Sequence, residues 1–280
     1  MQHTSAKGPW KKTVGIAARH PVFATLVYIV LVSAFFLVFP GVDRAVSAIF
    51  YDGNAGFWAT RSPFLNDLRR LGLFLVKLVA VASVAVLLLK LAFPDRKSVA
   101  PLRAPLFLLS TLILAPGIVV NAILKDNWGR PRPRNVDIFG GDMPYVPVWH
   151  VTDYCDANCS FVSGEASSSI WLLSLAFLAP KPWRAPVAAA VLVLAAALSL
   201  NRVAFGGHFL SDTLISWGIT FLILLIAYRI FYAHPPEFLT EAALERGFSR
   251  AGQALRRGIA KTASRIRSGF ARWAGKFGKE

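Results

Sequence analysis

Six long apolar runs, separated by shorter polar connections, constrain this chain more than any other feature of its sequence. They occupy roughly residues 22–39, 71–93, 104–124, 163–179, 186–200 and 213–232. A helix needs about twenty such residues to cross the hydrocarbon core of a bilayer. Inside lipid the backbone has no water to bond, so each run must satisfy its own hydrogen bonds as a helix. The chain is 55% hydrophobic, too apolar for an ordinary soluble domain. The expected fold is therefore all-α: a polytopic membrane protein of six transmembrane helices. Three regions are expected: an N-terminal segment (1–21), a six-span body (22–232) and a basic C-terminal tail (233–280).

The first run follows a basic segment, and Val46-Ser47-Ala48 is a passable cleavage site, so the start imitates a secretory signal. The run is too long for a signal core and further spans follow, which makes it an uncleaved first span. Lys77 falls inside the second run and must snorkel or face the bundle interior. Pro116-Gly117 marks a kink in the third.

Charge sets the orientation. Formal net charge is +16, from 31 Lys and Arg against 15 Asp and Glu. In a soluble protein this would suggest nucleic acid, but here the basic residues crowd into loops and one tail, so no nucleic-acid partner is expected. Lys7, Lys11, Lys12 and Arg19, the loops 94–103 and 180–185, and the tail all fall on one side of a six-span layout. By the positive-inside rule that side is the cytoplasm, with both termini on it. Loops 40–67, 125–162 and 201–211 then face outward, into the periplasm of a bacterium, with the protein in the inner membrane. Lys125, Arg130, Arg132, Arg134 and Arg202 break the rule, and a basic cluster on the wrong side points to anion binding. Cys155 and Cys159 lie in the same outward loop, where an oxidising compartment permits a disulfide in place of two free thiols.

The tail carries Leu244, Phe248, Ala251, Leu255, Ile259, Ile266, Phe270, Trp273 and Phe277, mostly at steps of three and four, with Arg246, Arg250, Arg257, Lys261, Arg265 and Arg272 between them. That pattern fits an amphipathic helix lying on anionic inner-leaflet lipids, or else a soluble interaction tail. Zinc-type Cys/His spacing, a Walker loop and a dinucleotide fingerprint are all missing, so no metal or cofactor is expected.

Three outward pieces carry chemistry. Residues 125–134 (KDNWGRPRPR) offer one lysine and three arginines on a proline-stiffened stretch, a cradle suited to phosphate oxygens. Residues 161–167 (FVSGEAS) place Ser163 to cap a helix and Gly164 where an anion can approach backbone N–H groups. Glu165 beside them either compensates the helix dipole or gives a proton to a leaving alcohol. Residues 201–212 (NRVAFGGHFLSD) hold Arg202, His208 and Asp212. With a helix from about His208, Asp212 would lie one turn along, able to hold the imidazole in one tautomer. Such a histidine is a base or a nucleophile, and the combined inventory suits phosphoryl transfer through a phosphohistidine. A loop whose histidine merely caps a helix is the plainer alternative.

These pieces resemble the motifs of the type 2 phosphatidic acid phosphatase superfamily, membrane phosphatases related in their site to vanadium haloperoxidases. The family pattern runs Lys-x6-Arg-Pro, Pro-Ser-Gly-His, Ser-Arg-x5-His-x3-Asp. Lys125 with Arg132-Pro133, then Ser163-Gly164, then Arg202, His208 and Asp212 match it in order and spacing. The resemblance implies His208 as nucleophile, Asp212 as its orienting partner, and Lys125, Arg132, Arg202, Ser163 and Gly164 as the phosphate site, without a metal. Val162 and Asn201 replace the pattern's proline and serine. Glu165 replaces the acid histidine; His150 and Asp153 are possible substitutes for that role. The substrate expected from the resemblance is a lipid phosphate, lipid A at its 1- or 4′-position first. Undecaprenyl pyrophosphate, phosphatidylglycerophosphate and lipid-to-lipid phosphotransfer are alternatives. A catalytically impaired lipid-binding or transport protein on the same fold is the reading of another class.

Overall fold

The computed structural model describes residues 19–277, with side chains described to residue 269 except at Asn54. Lys7, Lys11 and Lys12, and the side chains of Phe270, Arg272, Trp273 and Phe277, lie outside the described residues. The described chain is helical, with two isolated backbone bridges and no strand.

Five segments are long and apolar enough to cross a membrane: Pro21–Val38, Pro63–Ala92, Arg103–Lys125, Lys181–Ala204 and Leu210–Ala233. We number the helices α1 (Pro21–Val38), α2 (Gly41–Ala48), α3 (Pro63–Ala92), α4 (Arg103–Leu112, continued by a wider π-helix over Ile113–Lys125), α5 (Gly164–Trp171), α6 (Ser174–Leu178), α7 (Lys181–Ala204), α8 (Leu210–Tyr228) and α9 (Glu241–Phe277). Pro116, which cannot donate a backbone N–H, lies inside the wide stretch.

The fourth expected span, 163–179, departs from expectation. It is a shorter apolar segment, Gly164–Leu178, broken between α5 and α6. Its surroundings explain this. Ile170, Trp171 and Leu172 are buried, and α5 packs against α7, α8 and the π-helical stretch. A helix walled by protein instead of lipid need not match the thickness of the hydrocarbon core. Ser167, Ser168 and Ser169 are satisfied internally, Ser167 Oγ lying 2.7 Å from Thr220 Oγ1.

The up-and-down course brings Val38, Pro63, Lys125, Gly164, Ala204 and Leu210 to one end of the bundle. The connections there are tied to each other and to the helices. Tyr145 donates to the Pro40 carbonyl (3.2 Å), Trp149 Nε1 to Ser33 Oγ (2.8 Å), and Asn201 to the Leu65 carbonyl (2.8 Å). Trp128, Trp149 and Phe161 form an aromatic cluster, with ring centroids 4.8–5.8 Å apart. Gly72 is required by a close approach: a Cβ there would come within 2.6 Å of Leu198, so α3 and α7 touch at this level. Lys77 is exposed on the outside of α3, so it takes the snorkelling course; side chains tilt toward a helix N-terminus, here the loop-rich end.

At the opposite end α9 docks by its first turns. Glu241 accepts from the backbone N–H groups of Leu102 (2.5 Å) and Arg103 (3.3 Å), capping the positive end of α4. Glu245 pairs with buried Lys90 at 2.7 Å. Further along, Leu255, Ile259 and Ile266 are exposed.

Candidate active site

Three chain ends meet around His208. It lies in the short turn between α7 and α8 and is buried, 1% exposed. The α8 helix begins at Leu210, later than the sequence suggests, so His208 precedes it and Asp212 sits in its first turn.

The imidazole is oriented by main chain. Nδ1 lies 2.7 Å from the carbonyl oxygen of Ser160. A carbonyl only accepts, so Nδ1 carries the hydrogen and Nε2 keeps its lone pair. Asp212 is 3.9 Å from Nδ1, beyond hydrogen-bond range, which departs from the direct pairing expected. Its carboxylate instead accepts from Ser160 Oγ (2.5 Å), the Phe209 backbone N–H (2.9 Å) and Arg130 Nη1 (2.5 Å). Asp212 thus holds both the residue that grips the ring and the turn that carries it.

Arg130 leaves the basic cradle in which its spacing placed it. It is fully buried between Asp212 and Asp43, with Nη2 2.9 Å from Asp43 Oδ2 and Nε 2.8 Å from the Val146 carbonyl. Burial opposes its charge, but Asp212 and Asp43 more than offset this and raise its pKa. Asp43, on α2, also accepts from the backbone N–H and the hydroxyl of Ser211.

The remaining cations face the histidine. Burial, then the charges of Arg202, Lys125 and Arg132, push the His208 pKa well below the ordinary 6.5. Among the described residues Lys125 makes no side-chain hydrogen bond. Arg132 gives Nε and Nη2 to the Asn158 carbonyl (3.1 and 2.6 Å) and Nη2 to Asn158 Oδ1 (2.8 Å), with Nη1 unengaged. Asn158 lies between Cys155 and Cys159, which are disulfide-bonded with Cα atoms 5.8 Å apart. Arg202 is 4% exposed, and its buried Nε has no hydrogen-bond partner. That Nε faces Glu165 Oε1 at 3.5 Å, and among the described residues neither Nη of Arg202 makes a hydrogen bond, which leaves these donors for an anion.

Ser163 caps α5, its hydroxyl accepting from the Ala166 N–H (3.3 Å). Among the described residues the N–H groups of Gly164 and Glu165 make no hydrogen bond. A Cβ on Gly164 would meet Asn121 Oδ1 at 2.6 Å, so a larger residue there requires Asn121 to move.

Glu165 is not a free acid. Arg69 grips it with a fork, Nε to Oε2 at 2.9 Å and Nη2 to Oε1 at 2.7 Å, and Arg202 Nε stands 3.5 Å from Oε1. A carboxylate between two guanidiniums is an acceptor, which departs from the proton-donor expectation. His150 and Asp153 are exposed and hydrogen-bond no residue of the cluster.

Three residues of the site were missed in the sequence, Arg69, Asp43 and Ser160, and so was the buried role of Arg130. Arg69-Arg70 lie at the same loop-rich end of the bundle as Arg202, away from the basic loops and tail, and that signal could have found Arg69. Ser160 acts through its carbonyl, which no residue type advertises.

The PAP2 superfamily model matches residues 104–236. A lipid A 4′-phosphatase of Francisella tularensis subsp. novicida is 33% identical over 77% of this chain and 97% of its own length. Lipid A 4′-phosphatases of Rhizobium leguminosarum and Rhizobium etli are 43% and 45% identical, each over 39% of this chain and over 47% and 42% of their own lengths. A crystal structure of a transmembrane PAP2-type phosphatidylglycerolphosphate phosphatase from Bacillus subtilis shares the fold, with a TM-score of 0.53 at 17% identity over 78% of this chain and 99% of that one. Motifs, fold and relatives agree: the chain belongs to the PAP2 superfamily.

Proposed function

We propose that this protein is a lipid A phosphatase of the bacterial inner membrane, acting at the 4′-phosphate on the periplasmic face. The observation that carries the chemistry is the His208–Ser160 contact, which leaves Nε2 unprotonated beside three cations. Nε2 attacks phosphorus in line, the bond from phosphorus to the sugar oxygen breaks, and a phosphohistidine forms. Lys125, Arg132, Arg202 and the α5 N–H groups hold the phosphoryl oxygens as charge shifts onto them. Water supplies the proton for the leaving oxygen, then attacks phosphorus in a second step that frees phosphate and restores His208. The side chains supply the positive charge, so the reaction proceeds without a metal.

The names of the three relatives favour lipid A and its 4′-position. The basic loops at the α9 end favour the cytoplasm for that side and the periplasm for the site. The exposed Leu255, Ile259 and Ile266, interleaved with basic residues, rest on anionic inner-leaflet lipid.

The test is phosphate release by detergent-purified protein from lipid A, undecaprenyl pyrophosphate and phosphatidic acid. Release from lipid A, blocked by vanadate but not by EDTA and abolished in His208→Ala, is expected. Undiminished release by His208→Ala removes the nucleophile, and preference for another lipid removes the substrate.

A further inference from the structure

We propose that Arg69 is a further phosphate-recognition residue of this site, and that Glu165 is its anchor instead of the proton donor. The inference rests on the phosphatase reading above and deepens it.

Geometry carries it. Arg69 gives Nε and Nη2 to Glu165 and keeps Nη1 unengaged, on a side chain that is 40% exposed. One edge of the guanidinium is fixed and the other points away from its anchor with donors to spare. Because Arg202 Nε also faces Glu165 Oε1, the two guanidiniums are held on either side of one carboxylate. That carboxylate would repel an incoming phosphate if unpaired. Paired with Arg69 it contributes no net charge, while both arginines keep free donors.

The scaffold fixes the heights of the two arginines. Gly72 of α3 meets Leu198 of α7 in a contact that admits no Cβ. Arg69 lies three residues from Gly72 and Arg202 four residues from Leu198, each about one turn toward the loop-rich end. The close approach therefore sets the two guanidiniums level with each other across Glu165. Arg69 also belongs to the site's field: after burial and Arg134, its charge is among those lowering the Arg132 pKa. It lies outside residues 104–236, the stretch matched by the superfamily model. An anionic phosphate monoester, free or carried by a lipid, is the ligand this chemistry recognises.

The experiment uses the full chain in detergent, with Arg69→Gln, Arg69→Lys and Glu165→Gln, each checked for an unchanged unfolding temperature. Lipid A turnover and direct orthovanadate titration are both read. Arg69→Gln is expected to raise KM and weaken vanadate binding about tenfold, with kcat within about threefold of the parent. Arg69→Lys recovers only part, because an ammonium cannot hold Glu165 and the ligand with one planar fork. Glu165→Gln shifts KM in the same direction and leaves the alkaline limb of the pH profile in place. Unchanged vanadate affinity in Arg69→Gln overturns the proposal. So does a Glu165→Gln enzyme whose kcat collapses with loss of the alkaline limb. If the parent releases no phosphate from any lipid, the functional reading fails, and the vanadate titration still decides the role of Arg69.

Discussion

The imidazole of His208 and the carboxylate of Asp212 stand 3.9 Å apart, and Ser160 bridges them, its carbonyl on the ring and its hydroxyl on the acid. The orienting acid therefore works through a neighbour. Ser160→Ala should lower kcat about tenfold with little change in KM, since one charged hydrogen bond is lost. Asp212→Ala should cost more, because Arg130 and the Phe209 N–H lose a partner too. The double variant should be no slower than Asp212→Ala alone, as groups acting in series are not additive. Steady-state kinetics of the three variants decide it; multiplicative losses would show two independent contributions.

The field at His208 gives a pH signature. Its folded pKa lies well below 6.5, so between the two values the folded chain binds fewer protons than the unfolded one. As pH drops below 6.5 the unfolded chain takes up a proton that the folded ring refuses, and this residue then lowers stability. Above 6.5 it contributes no pH dependence. The imidazole stays neutral through the same window, so with His208 as the proposed nucleophile the acid limb of kcat/KM should fall clearly below pH 6.5. A limb at 6.5 in the parent enzyme would contradict the buried, cation-faced imidazole.

Arg130 should be intolerant of every replacement. Removing it leaves Asp43 and Asp212 buried without a counter-charge, a loss of about 3–5 kcal/mol for a broken buried pair. Arg130→Gln and Arg130→Lys should both unfold at a much lower temperature in detergent, the lysine because one ammonium cannot serve two carboxylates and the Val146 carbonyl. Scanning fluorimetry reads this directly, and an unfolding temperature within a degree or so of the parent's counts against it.

Gly207→Ala separates binding from stability. A Cβ there would come within 2.4 Å of Arg202 Nη2, the far end of a side chain that can move. The fold should survive while the displaced guanidinium loses its aim. An increase in KM of about tenfold, with an unchanged unfolding temperature, is expected. Unchanged KM would show that Arg202 does not need its present position.

Glu245 is one anchor of the tail, beside Glu241. Glu245→Ala leaves the Lys90 ammonium buried beside only the Pro94 and Arg96 carbonyls. Limited proteolysis should then cut near the start of α9 faster than in the parent, and an unchanged digestion pattern would count against the anchorage.

Much of this was legible beforehand because periodicity and spacing are local. Five spans read as apolar runs appear as helices, within a few residues except that α3 starts about two turns earlier and α7 is about a turn longer at each end. Lys125, Arg132, Ser163, Gly164, Arg202 and His208 gather at one end because their spacing places each at a helix terminus or in a loop beside one. What escaped is non-local. The short fourth segment is set by its neighbours rather than by its own composition. Arg130 looked like one more cradle arginine, and only the third dimension places Asp43 against it, from 87 residues away. Arg69 reaches Glu165 across 96 residues, a pairing that no spacing rule encodes.

Because His208 sits at the level where several helices end, the height of its ring is set by the lengths of the bundle's own helices. For an acyl-anchored substrate, encounter becomes a search within a plane. The variable governing turnover is then mole fraction in the bilayer or micelle, not bulk molarity. Diluting the surface with neutral detergent at constant substrate should slow the enzyme as a fall in concentration would, and a short-chain soluble phosphate ester would forgo the advantage altogether.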